Sequence, residues 1–141
     1  MTSQPGPAAG GPPTRPHLDH VALVVDSLDR ATDFYSHLLS LNVLNRVNLS
    51  DHTIQYLSSG TGPPLELIAY DDDADGQPVC APTMPASHHL AWQVADVTHL
   101  QYRVIELGGT VISAPLFMPE LQQTSVLIRD PDGFLVELVE R

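Results

Sequence analysis

LDHVALVVDSLDRATDFY, residues 18–35, carries an alternating apolar pattern that gives way to a helical one. Val21, Leu23 and Val25 fall on one side of an opening strand; His20, Ala22 and Val24 fall on the other. Asp26 or Ser27 can cap a helix that runs to about Leu39, because Leu28, Ala31, Tyr35, Leu38 and Leu39 recur at roughly helical spacing. HHLAWQVADVTHLQYRVIELG, residues 88–108, repeats the order. HLAWQV (89–94) reads as a strand, and a helix follows from about Thr98 to Leu107, stopped at Gly108-Gly109.

Working outward, each copy continues in the same way. VLNRVNL (43–49), HTIQYLSS (52–59) and PLELIAY (64–70) read as strands separated by turns at Ser50-Asp51 and Ser58–Pro64. In the second copy TVISAP (110–115), TSVLIR (124–129) and FLVELVE (134–140) do the same, the last two joined by a turn over Asp130–Gly133. The pattern predicts an α+β domain over residues 17–141, built from two β-α-β-β-β modules at 18–70 and 88–141. Residues 71–87, acidic and then proline-bearing, read as a surface linker. Residues 1–16 (MTSQPGPAAGGPPTRP) offer nothing to pack and read as a disordered tail. LFMPELQQ (116–123) breaks the strand pattern and reads as a lid or pocket wall.

Each module places a His near its start and a Glu near its end: His20 and Glu66, then His89 and Glu137. The acids are flanked by Leu65 and Leu67, and by Val136 and Leu138, so they share the face opposite the bulky apolar one. All four therefore point away from the helix-covered side. Taken singly, a His at a strand start or a Glu in an alternating strand is also what a solvated sheet face produces. Matched positions in a duplicated unit favour one shared site. His88 falls on the face of Leu90 and Trp92 and goes to the strand edge or helix side. His17, His37, His52 and His99 have no partner at ligand spacing. Asp71, Asp73, Asp75 and Gly76 imitate the start of a calcium loop, but Pro82 stands where its closing Glu belongs. Asp51 reads as a turn residue.

The chain has 17 acidic residues against six arginines and no lysine, a net charge of −11. Such a surface repels phosphate backbones, which argues against nucleic acid and anionic membranes as partners, and more weakly against coenzyme A thioesters. Cys80 is alone, so no intrachain disulfide forms and a reducing compartment is expected. No apolar run reaches membrane-helix length, and the N-terminus has no signal-peptide pattern; a cytoplasmic location is expected.

LDHVALVVDSLDRATDFYSHLL, HLAWQVADV and IRDPDGFLVELVE resemble the opening strands, helix and closing turn of the vicinal oxygen chelate superfamily, the group of glyoxalase I, extradiol dioxygenases and bleomycin-binding proteins. The likeness covers residues 18–141. It implies a glyoxalase-like fold, with the two modules pairing into a curved mixed sheet and helices on its outer face. It also implies ligand positions at His20, Glu66, His89 and Glu137. Two departures stand out: Ser40 follows the helix leucine where relatives usually have glycine, and Val24 stands where glutathione-dependent bacterial glyoxalases tend to carry arginine.

Two imidazoles and two carboxylates suit Ni, Co, Fe, Mn or Zn and leave an octahedral ion two open positions for adjacent substrate oxygens. The resemblance implies that Glu137 or Glu66 acts as the base beside a polarised carbonyl, with Glu137 favoured. Three functions follow from this reading. The first is a metal-dependent lyase or isomerase moving a proton next to a carbonyl in a small-molecule substrate. The second is an Fe(II) dioxygenase on an aromatic or polyketide-like substrate, if one Glu is not a ligand. The third is a non-catalytic protein that binds a natural product. A homodimer is expected, the site lying within one chain or across two.

Overall fold

The computed structural model describes residues 15–72 and 88–141. The predicted tail up to residue 14 and the linker from 73 to 87, with its calcium-loop imitation and Cys80, lie outside the described residues.

Module one opens with β1 (Val21–Val24), continues through α1 (Leu28–Leu39), and closes with β2 (Asn42–Asn48), β3 (His52–Ser58) and β4 (Leu65–Tyr70). Its sheet has the order β1-β4-β3-β2, with β1 parallel to β4 and the other pairs antiparallel. Module two holds β5 (Leu90–Gln93), α2 (Val97–Glu106), β6 (Thr110–Val111), β7 (Leu116–Met118), β8 (Gln123–Arg129) and β9 (Leu135–Glu140). Its order is β5-β9-β8-β6, with β7 also on β8 and β5 parallel to β9. The class is α+β, as the alternation predicts.

The first helix is capped at Ser27, one of the two expected residues, and the second at Asp96, for which no cap was named. The Ser27 hydroxyl accepts from the Arg30 amide at 3.2 Å, and the Asp96 carboxylate accepts from the His99 amide at 2.9 Å. Glu140 adds to the second cap by accepting from the Val97 amide at 2.9 Å. Helix α1 packs on β2, β3 and β4; α2 packs on β6, β8 and β9; and the two helices touch. Leu23, Phe34, Leu67, Val104, Ile128 and Leu138 belong to one buried apolar cluster drawn from both modules. Burying such side chains stabilises the fold by roughly 1.5–3 kcal/mol each.

Three details differ from the sequence reading. The sheet is not one curved surface within the chain: the modules have separate hydrogen-bonded sheets, with β1 and β5 each at an edge. The strand expected over 110–115 is interrupted. Thr110–Val111 pairs with Arg129 and Ile128, the chain leaves the ladder around Pro115, and Leu116–Met118 rejoins β8 opposite Ser125, Thr124 and Gln123. The segment read as a lid is therefore an edge strand plus a turn, with Gln122 at φ 52°.

The modules are joined through polar contacts as well. The Tyr35 hydroxyl of α1 donates to the buried Asp130 carboxylate at 2.6 Å, and Arg30 reaches Asp132 at 3.1 Å. Asp130 and Asp132 belong to the turn between β8 and β9, so that turn clamps module two onto the first helix.

Candidate metal centre

Strand pairing puts each predicted His–Glu pair side by side. In module one Ala22 is registered with Glu66, and His20, just before β1, projects from the same side. Its Nε2 lies 2.7 Å from Glu66 Oε2, and its Nδ1 lies 2.8 Å from Asp19 Oδ2. The hydrogen bond with Asp19 outweighs desolvation, and the Glu66 and Asp19 charges add to it, so the imidazole is held above its ordinary pKa. In module two Ala91 is registered with Glu137, and His89 Nε2 lies 4.0 Å from Glu137 Oε2.

The two pairs are not equivalent. Glu66 is buried, and its neighbour across the β3–β4 ladder is Tyr56. The phenol donates a hydrogen bond to Glu66; that bond, with burial and the carboxylate charge, pushes the tyrosine pKa up to about 12. Glu137 faces Leu127 at the corresponding place on β8 and is more accessible. One carboxylate is thus held between an imidazole and a phenol. The other is constrained only loosely.

Tyr56 was not singled out from the sequence. Its alternation within HTIQYLSS put it on the acid-bearing face, but only the β3–β4 register sets it against Glu66.

Among the described residues, no three His, Cys, Asp or Glu side chains come together as a metal-binding group. The structure therefore unites His20 with Glu66 and His89 with Glu137, but does not bring the two pairs together within one chain. The other histidines make local contacts: His37 Nδ1 lies 2.8 Å from the Asp33 carbonyl, and His52 Nδ1 lies 2.6 Å from Asp51. His17, His88 and His99 are exposed. An imidazole beside a carboxylate is, once the ring gives up its proton, half of a four-donor set for a borderline divalent ion. Two such halves complete it.

Two mixed sheets with this duplicated module define a glyoxalase-like protein. The chain belongs to the Glyoxalase/Bleomycin resistance protein/Dioxygenase superfamily, whose family model matches residues 17–138. It is 23% identical to a lactoylglutathione lyase of Neisseria meningitidis over 124 residues, covering 88% of this chain and 90% of that protein. It is 24% identical to the metallothiol transferase FosB of Shouchella clausii, covering 86% of this chain and 77% of that one. Among solved structures, a glyoxalase family protein from Bacillus cereus superposes with a TM-score of 0.74 at 22% identity, over 94% of this chain and 97% of the other. Among the described residues no helix is long and apolar enough to cross a membrane.

Proposed function

We propose that this protein is a divalent-metal-dependent enzyme that binds a small molecule through two adjacent oxygens and moves a proton next to its carbonyl, as a lyase or isomerase. The observation that carries this reading is the repetition of one His–Glu pair at register-equivalent positions of both modules. Likeness to proteins named lactoylglutathione lyase and metallothiol transferase supports it.

His20 and Glu66 of one module, with His89 and Glu137 of the other, would hold Ni, Co, Fe, Mn or Zn. Bound there, such an ion supplies the Lewis acidity that polarises a substrate carbonyl. The remaining work falls to the side chains. Glu66, fixed by His20 and Tyr56, keeps one place. Glu137 has no phenol donor and looser contact with its His, which suits it to take the proton from carbon and return it. Apolar Ala22, Val24 and Ala91 along the same faces keep the reacting carbon away from bulk water.

Because the pairs do not meet within one chain, we place the complete site between two copies, module one of each facing module two of the other. The open edges of β1 and β5 are compatible with that homodimer.

The test combines two measurements. Purified protein should carry about one transition-metal ion per chain, as four donors spread over two equivalent halves require. Incubation with 2-oxoaldehyde and α-hydroxyketone substrates in deuterated water should then label the carbon next to the carbonyl. Metal-loaded protein that gives no label across such a panel, yet consumes oxygen with Fe(II) and a catechol, would replace this reading with the dioxygenase.

A further inference from the structure

The acid-bearing face of module two ends in a cation that the chemistry above does not use. Arg141 follows β9 at an even number of positions after Glu137, so both side chains rise from the same side of the sheet. The intervening Glu140 turns to the opposite side, where it caps α2. The Arg141 guanidinium is held between two amides on neighbouring strands: its Nη1 donates to Gln93 Oε1 at 3.3 Å and its Nη2 to Gln123 Oε1 at 3.0 Å. Gln93 is on β5, registered with Val139; Gln123 is buried at the start of β8. Both tethers flank β9 on the face of Glu137.

Two neutral oxygens orient a guanidinium without cancelling its charge. Three other arginines are compensated: Arg30 pairs with Asp132, Arg46 with Asp29 and Arg103 with Glu106. Arg129 turns to the Gly133 carbonyl. Among the described residues Arg141 makes no ion pair, in a chain whose net charge is −11. A planar donor, held in place and left unneutralised, is built to receive a carboxylate in a bidentate pair.

The face between the two ends is apolar near Glu137 and polar further on. From Glu137 it runs past Ala91 and Leu127, then past the buried Val139 with Gln93 and Ser125 on either side, before reaching Arg141. The interval along the strand is roughly 13 Å, and the tether to Gln93 draws the guanidinium back towards Glu137. A substrate matching this layout has three parts: an oxygen-chelating head, a spacer of several carbons, and one terminal carboxylate.

We infer that Arg141, positioned by Gln93 and Gln123, is the anchor for the carboxylate of an ω-carboxy substrate whose reacting end lies at Glu137. The inference rests on the proposed chelating site and narrows its substrate class.

The test uses the full-length, Ni(II)-loaded protein and two probes: suberic acid monohydroxamate, and the same chain ending in a primary amide. The hydroxamate supplies adjacent oxygens in both. Calorimetry should show the acid binding roughly tenfold more tightly than the amide, the usual effect of one charge-assisted pair. That preference should shrink with added salt, vanish in Arg141→Gln and persist in part in Arg141→Lys. Equal affinity for both probes in the wild type overturns the anchor and leaves the chelating site standing. A preference unchanged in Arg141→Gln overturns it as well, as does a variant that weakens self-association while keeping the preference. Failure of both probes to bind, or binding unaffected by metal removal, removes the chelating site and the anchor with it.

Discussion

At the scale of single residues, the functional difference between the modules comes down to what stands opposite each glutamate. Tyr56 faces Glu66 and Leu127 faces Glu137. A phenol hydrogen-bonded to a ligating carboxylate fixes its orientation and holds it near its imidazole neighbour, and loss of such a support typically costs 10–100-fold in metal affinity. Tyr56→Phe is therefore expected to weaken Ni(II) binding about tenfold, read by competition with a chromophoric chelator, while leaving the melting temperature within a few degrees. An unchanged affinity would mean that the phenol is not a support. Glu137→Gln should behave differently, abolishing deuterium labelling while the protein still binds metal through the other donors. The shared faces of His20 with Glu66 and of His89 with Glu137 were legible beforehand because alternation fixes which face a strand residue occupies. Tyr56 and Arg141 were not, because their roles depend on which residue lies across the ladder, and register is a property of two strands. The sequence contains only one of them at a time.

At the scale of elements, the strands and helices followed their apolar periodicity, and the differences fall where local chemistry competes with it. Ser40 ends α1 in the left-handed region, at φ 54° and ψ 38°, a place where glycine avoids the Cβ clash. Its departure from the family's glycine is thus accommodated by strain rather than by a different turn. Ser40→Gly should stabilise the protein by about 0.5–1 kcal/mol, the Cβ strain outweighing the added freedom of the unfolded chain. Thermal denaturation checks it: a lower melting temperature would show that the hydroxyl contributes something the strain does not outweigh. Pro115 is the corresponding lesson in module two. Its missing amide hydrogen and fixed φ favour a break in an edge strand, so TVISAP and LFMPELQQ become two short pieces on β8. Alternation across 110–118 alone gave no way to see that both pieces pair with the same neighbour.

At the scale of the whole molecule, the unresolved matter in the sequence was how two similar modules meet, since edge strands β1 and β5 carry no pattern naming a partner. Within the chain they meet through helices and the β8–β9 turn, with Asp130 at the joint. Burial raises its pKa more than the Tyr35 and Phe134 hydrogen bonds lower it, with Asp132 adding to the rise. The folded state therefore binds this proton more tightly than the unfolded state. Its contribution is complete below the unfolded carboxylate pKa near 3.8 and is lost as pH rises through the folded value. The melting-temperature gap between wild type and Asp130→Asn should accordingly be widest in acid and narrow as pH rises; a gap that grows towards neutrality reverses the sign.

The same arrangement leaves the two His–Glu pairs apart within one chain, which makes the proposed two-copy site open to genetic dissection. A His20→Ala/Glu66→Gln chain lacks one half of every site, and a His89→Ala/Glu137→Gln chain lacks the other. Each alone should be inactive. Unfolded together and refolded, or co-expressed, they would form mixed dimers in which one site receives both intact halves and the other receives none. With random pairing about half of the dimers are mixed, so about a quarter of the wild-type sites, and of the deuterium-labelling activity, should return. Sites built inside single chains would give no recovery at any mixing ratio, because neither parent contains a complete donor set.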